Sequence, residues 1–207
     1  LLGYEDMQVL WADLHTNKLR RGHQPGNRFV IRIREVSPTS VVQAKQVLDR
    51  LAEGGAPNYH GRQRFGYRQN SHRLGRHLLR GEWSAFLDEL LAGAGESDSE
   101  SLQRGRAAYE RGNYTEALEH WPKALSFDRQ ALDALRQGKD AEAAVKHIDH
   151  QQRQFLLNAW QSEIFNRVLD RRVRDGRLGM LVEGDLAWKH DSRSVFPVDA
   201  QVAETEN

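Results

Sequence analysis

The chain has 207 residues, 39% of them hydrophobic, with 30 Lys+Arg against 29 Asp+Glu and no Cys. That length holds one large domain or two small ones with enough apolar mass for a core, and the missing thiols exclude a disulfide scaffold, a Cys-ligated zinc or iron–sulfur centre and a thiol nucleophile. No apolar run approaches the roughly 18–20 residues of a membrane span and no signal-peptide pattern opens the chain, so a soluble, cytoplasmic protein is expected, and the formal net charge of +1 taken alone argues against a nucleic-acid partner.

The charge is unevenly placed along the elements. Between Asp13 and Glu35 lie Lys18, Arg20, Arg21, Arg28, Arg32 and Arg34 and no acid. Within that stretch Asn27 to Val36 alternates Phe29, Ile31 and Ile33 with Val30, Arg32 and Arg34, the period-2 pattern of a half-buried strand. The turn residues Gln24-Pro25-Gly26-Asn27 make Lys18 to Arg21 its candidate hairpin partner. Ser37-Pro38 reads as an N-cap with a first-turn proline, Val41, Val42, Val47, Leu48, Leu51 and Ala52 as a helical stripe, and Gly54-Gly55 as its stop.

A second acid-free stretch runs from Glu53 to Glu82 and carries Arg62, Arg64, Arg68, Arg73, Arg76 and Arg80. It opens as an Arg-, Gly- and aromatic-rich loop over 56–69, followed by short helices near His72–Leu79 and Trp83–Leu91. Gly93 to Ser101 reads as a flexible linker by composition. From Glu82 to His150 the sign reverses, with eight bases against fourteen acids. Ala107, Ala108, Tyr109, Gly112, Tyr114, Ala117 and Leu118 are spaced like half a tetratricopeptide repeat, and a single such unit reads as a local helical hairpin. Gln152 to Arg174 is the strongest helix, with Phe155, Leu156, Ala159, Trp160, Ile164, Phe165, Val168 and Leu169 on one broad stripe. Met180–Val182, Leu186–Lys189 and Val195–Val198 read as short strands. The pattern is a mixed α+β or α/β one.

Two acid-free segments of local charge +6, masked by an acidic block, restore a nucleic-acid partner, because counterion release makes local clustering count for more than the sum. Eleven of those twelve bases are Arg, whose planar fork suits phosphates and stacking on bases. No phosphate-cradling loop, nucleophile elbow or HExxH motif is present. His147 and His150 lack a third ligand at useful spacing and read as exposed helix residues, while Glu183 and Asp185 around Gly184 read as turn residues rather than paired catalytic carboxylates. The loop Pro57 to Gly66 is different: it gathers Asn58, Tyr59, His60, Arg62, Gln63, Arg64 and Phe65. Amides can read a base edge, aromatics can stack a flipped base and Arg can hold flanking phosphates, with the plain alternative that Tyr59 and Phe65 plug a core.

The segment NYHGRQRFG is very similar to the NYFGxQRFG signature of the TruD-type tRNA pseudouridine synthases. The resemblance extends to Asn17-Lys18-Leu19-Arg20-Arg21-Gly22-His23, Gly26-Asn27-Arg28-Phe29 and Arg34-Glu35-Val36-Ser37 upstream, and to 155–162, 165–169 and Glu183-Gly184-Asp185 downstream. It implies an α/β (α+β) pseudouridine-synthase fold with a central mixed, mainly antiparallel sheet, flanking helices and an inserted TRUD domain. The implied division is a catalytic part at 1–81, an acidic helical excursion at 82–150, a catalytic-domain helix at 151–177 and the start of the inserted domain at 178–207.

The activity implied is isomerisation of uridine, at position 13 of tRNA, to pseudouridine, with no cofactor and no metal, by a monomer. Asn58, His60 and Gln63 would border the flipped uracil, and Lys18, Arg20, Arg62 and Arg64 would contact the RNA. His60 stands where the signature has Phe, so an imidazole would stack there, bringing a polar tip and a titratable ring. The family's catalytic aspartate lies in a Gly-x-Lys-Asp context ahead of the matched segment. Here the only Lys-Asp pair is Lys139-Asp140, and Asp13 lacks that context. The chain is therefore expected to be an internal piece, inactive alone, with the nucleophile upstream. The alternative is a noncatalytic RNA- or protein-binding helical module, prompted by Tyr114–Trp121 and the acidic block.

Overall fold

The computed structural model describes residues 13, 14, 16–18, 20, 26, 28–95 and 98–205. They divide into two units, 1–46 and 47–207. In the first unit residues 28–34, expected as a strand, carry no regular secondary structure, and Lys18 and Arg20 of the expected partner carry none either; Asn27 and Arg21 lie outside the described residues. A strand exists only when a neighbour takes its alternate N–H and C=O groups, and no described residue pairs with this one. Phe29, Val30, Ile31 and Ile33 are accordingly exposed. The helix predicted next is present as α1 (Ser40–Gly54), opened by the Ser40 N–H donating to the Ser37 carbonyl at 2.9 Å and followed by Gly55 at φ 77°. None of its apolar stripe is buried.

The second unit is built from helices. After a 3-10 turn (Arg62–Phe65) come α2 (Ser71–Arg80), α3 (Trp83–Leu91), α4 (Glu100–Glu110), α5 (Tyr114–His120), α6 (Ser126–Arg136), α7 (Ala141–His147) and α8 (His150–Arg174). A hairpin of β1 (Leu186–Trp188) and β2 (Val195–Pro197) and a short α9 (Ala200–Thr205) follow. The hairpin is antiparallel, with Ala187 opposite Phe196, and is the one sheet among the described residues. The third expected strand, Met180–Val182, is absent. The Val182 N–H goes to the Asp185 carboxylate and the Met180 N–H to the Arg177 carbonyl, which commits the segment to turns.

The core sits between α2, α3 and the helices that follow. Phe86, Leu87, Leu90 and Leu91 form the buried face of α3 and meet Leu74, Leu102, Trp121, Leu132, Val145, Ile148 and Leu156. α2 crosses α8 at Gly75, where a Cβ would lie 2.0 Å from the Leu156 carbonyl oxygen, so only glycine permits this approach.

The acidic stretch holds two helical hairpins, not one. In the first, Gly112 (φ 75°) donates to the Tyr109 carbonyl and Asn113 to that of Ala108; in the second, Gly138 (φ 80°) donates to Leu135 and Lys139 to Ala134. Each turn is a left-handed C-terminal cap followed by a new N-cap, Asn113 for α5 and Asp140 for α7. Asp140 of the Lys-Asp pair is thereby a capping residue.

Within the expected flexible linker at 93–101, the described residues 98–101 are held in place. Ser99 caps α4 through the Leu102 N–H, and the Asp98 carboxylate is buried against Arg106 at 2.7 Å. A buried charge with its partner pins Asp98 at the start of α4, where composition alone reads as loose.

Candidate nucleic-acid interface

The loop from Pro57 to Gly66 is held at both ends and open in the middle. At its C-terminal end the 3-10 turn places Phe65 in the interior, its ring edge-on to His72 at 5.3 Å. Burial holds the His72 imidazole below its usual range. Gly66 takes φ 76°, and a Cβ there would come within 2.7 Å of the Ser71 hydroxyl. The Gln69 side-chain amide donates to the carbonyls of Arg62 (3.0 Å) and Gly66, closing the turn.

The other support is α8. Asn166 exchanges two hydrogen bonds with one residue of the loop: the His60 N–H donates to Asn166 Oδ1 at 2.9 Å, and Asn166 Nδ2 donates to the His60 carbonyl at 3.0 Å. One turn earlier Ser162 accepts from Arg64 Nε at 2.9 Å while donating to the Asn158 carbonyl. The Arg64 guanidinium also lies 5.7 Å from the Phe155 ring, and the His60 imidazole meets Phe165 edge-on at 5.4 Å. An open cavity of about 460 Å³ is lined by Gly61, Gln63, Arg64 and Phe155.

Asn58, His60, Arg62 and Gln63 are exposed along this loop and Arg64 is half-buried, so the structure brings these five predicted residues together. Of the two aromatics weighed as core plugs, Phe65 is one and Tyr59, 40% exposed, is not. Lys18 and Arg20 belong to the other unit and are exposed.

The arginines divide by task. Arg68 donates to the carbonyls of Leu90, Ala92 and Gly93, and the buried Arg106 to those of Leu90 and Leu91, so two guanidinia close the C-terminal end of α3. Arg106 also bonds the Tyr67 hydroxyl at 3.0 Å and stacks 4.9 Å from Trp121, tying the acidic stretch to the end of the loop. Burial raises the Tyr67 phenol, partly offset by the Arg106 charge. Arg73 pairs with Glu89 and Arg80 with Glu82. Asn158, Ser162, Asn166 and Arg106 are absent from the predicted site; the i, i+4, i+8 spacing of the first three on an otherwise apolar stripe is the signal that finds them.

Two sequence-stretch pairs resolve as structural. Asp185 accepts from Arg172 and the Val182 N–H; burial raises its carboxyl, but these contacts outweigh that and leave it below the ordinary range. His147 ends α7 and His150 begins α8. Among the described residues there is no cluster of three or more metal-ligating side chains and no helix long and apolar enough to cross a membrane.

The family model for tRNA pseudouridine synthase D (TruD) matches residues 2–207. The chain belongs to this family. Its tRNA pseudouridine synthase D relative from Geobacter sulfurreducens is 37% identical over 204 residues, 98% of this chain and 50% of the relative. That from Geotalea daltonii is 35% identical over 207 residues, 99% of this chain and 52% of the relative. The crystal structure of a TruD protein from Methanosarcina mazei superposes with a TM-score of 0.69 at 24% identity, covering 84% of this chain and 43% of that one, which shows a shared fold. The chain thus spans about half the length of the curated TruD relatives it matches. The fold is of the mixed α+β class, helix-rich with a small antiparallel sheet.

Proposed function

We propose that this chain is the part of a tRNA pseudouridine synthase that receives a flipped uridine, at position 13 of tRNA, and holds it while the base is isomerised. The observation that carries the reading is the loop itself: the family signature, fastened at Phe65 and on α8, leaves Asn58 and His60 exposed and Gln63 at an open cavity. Asn58 and Gln63 supply amides for the Watson–Crick edge of uracil, and the His60 imidazole supplies a face for stacking. Arg62 and Arg64 take flanking phosphates, and Lys18 and Arg20 contact the RNA. No residue of this chain is assigned the nucleophile's role, and the reaction draws on no cofactor or metal. In this reading residues 1–81 and 151–177 belong to the catalytic domain, 82–150 elaborate it, and 178–207 begin the inserted domain; the protein acts as a cytoplasmic monomer.

The test is tritium release from uridine-labelled tRNA by the full-length protein. Pseudouridine formation, with Asn58→Ala lowering kcat more than it raises KM, is the expected outcome; a folded full-length protein that forms none overturns the reading. The competing role, a noncatalytic binding module at 82–150, has against it the Arg106–Tyr67 bond, which makes that segment a support of the loop.

A further inference from the structure

We infer that Asn166 is a positioning residue that fixes the orientation of His60, and that with Ser162 it forms a rail on α8 that sets the spacing of the base-facing and phosphate-facing parts of the loop. The inference rests on the proposed function for its catalytic consequence, but its geometry stands by itself. Residues 60 and 166 are 106 positions apart, yet one carboxamide satisfies both backbone groups of His60, at 2.9 and 3.0 Å. A side-chain amide used this way replaces the neighbouring strand that an isolated extended residue would otherwise need.

The adjacent residue on α8, Phe165, meets the imidazole edge-on. Consecutive helix positions therefore hold the backbone and the ring of the same loop residue, leaving the rest of the imidazole to solvent. Four residues earlier, Ser162 holds Arg64 and is itself oriented by the Asn158 carbonyl. Positions 158, 162 and 166 lie on one helix face, so the distance from His60 to Arg64 is copied from the helical rise rather than left to the loop. The rail is rigid because α8 is locked to α2 at Gly75, where no side chain fits. A base stacked on His60 and a phosphate on Arg64 would then meet a preset spacing, which is what orientation contributes to rate.

The experiment uses the full-length protein with Asn166→Leu, which removes both bonds, and Asn166→Asp, which keeps the acceptor and loses the donor. Single-turnover pseudouridine formation should fall by about tenfold or more in Asn166→Leu, and less in Asn166→Asp, with tRNA affinity changed by no more than about twofold. In a double-mutant cycle, adding Asn166→Leu to His60→Ala should cost nothing further, because the clamp acts through His60. Fully additive losses, or an unchanged rate in a folded variant, overturn the inference. Amide hydrogen exchange at His60 reads the clamp without activity: it should speed up by about tenfold or more in Asn166→Leu while Leu156 and Ala159 amides keep their protection. Unchanged exchange at His60 overturns it. If the wild-type full-length protein forms no pseudouridine, the proposed function fails and the exchange result alone decides the clamp. Should Asn166→Leu not fold, Asn166→Asp carries each of these readouts.

Discussion

The arginine-rich stretch 54–81 and the acidic stretch 82–150 carry opposite charge in sequence, and the fold sets them against each other. Arg73 meets Glu89 at 2.9 Å, Arg80 meets Glu82, and Arg68 is spent on the carbonyls at the end of α3. In return the acidic stretch contributes its own buried arginine, Arg106, which reaches the Tyr67 hydroxyl. Arg64 is held by Ser162 and Phe155. Arg62, with one long bond to Gln69 at 3.5 Å, and Arg76, with no hydrogen-bond partner among the described residues, remain open to solvent. A run of like charge in sequence is therefore a poor measure of the charge left for a ligand. The six arginines of the loop and α2 divide into structural and available groups only when their partners in space are known.

The largest test of that division is Arg106→Met. The substitution strips the Asp98 carboxylate, whose side chain is 1% exposed, of its partner and releases two α3 carbonyls. A buried charge left alone costs about 3–5 kcal/mol, so denaturant unfolding should show a loss of that size. Adding Asp98→Asn should recover part of it. By contrast Arg73→Ala, at a pair whose arginine is 54% exposed, should cost less than about 1 kcal/mol. Equal losses would erase the distinction between the buried and the surface arginines.

The second test is a pH dependence within the acidic stretch. Asp128 is pushed up to about 6 by burial, against the Trp121 N–H bond and the Arg106 charge, which both favour its ionised form. The folded protein then binds this proton more tightly than the unfolded chain between about pH 4 and 6, so stability falls as pH rises through that window. Asp128→Asn keeps an acceptor for Trp121 and removes the titration. Relative to wild type it should gain up to about 3 kcal/mol at pH 7, with the gap closing below about pH 4. A gap independent of pH would mean that Asp128 binds its proton equally well in the folded and unfolded chain.

Much of the helical part is legible from spacing and caps. α2, α3 and α8 begin and end within about two residues of the ranges read from the sequence, His72–Leu79, Trp83–Leu91 and Gln152–Arg174. These signals are local, and so is helix formation. What was not legible depended on distant partners. Residues 28–34 have the alternation of a strand, but alternation supplies no neighbour. Residues 93–101 have the composition of a linker, but Asp98 finds Arg106 on the following helix. The second helical hairpin was hidden because Asp133–Ala144 shares its turn geometry with 107–118 while sharing few side chains. At the candidate site Asn58, His60, Gln63, Arg62 and Arg64 were readable as chemistry on one loop. Asn166 and Ser162 are marked in the sequence only by their helical spacing, and what they hold was not legible, because their partners lie about a hundred residues away.

The smallest effect separates Arg62 from the arginines the fold has already used. Arg62→Gln should leave unfolding unchanged within about 0.5 kcal/mol, since its side chain is exposed and its one bond is long. If Arg62 takes a phosphate of tRNA, the same variant of the full-length protein should weaken binding and lower the slope of log affinity against log salt by about 1. The sign is fixed by counterion release: one fewer cation on the RNA returns one fewer ion to solution. Arg73→Ala removes the same formal charge, but that charge is already balanced by Glu89, so its slope should stay near wild type. Equal slopes in the two variants would mean that net charge, not availability, governs RNA affinity, and the division of the arginines drawn from their partners would carry no weight for function.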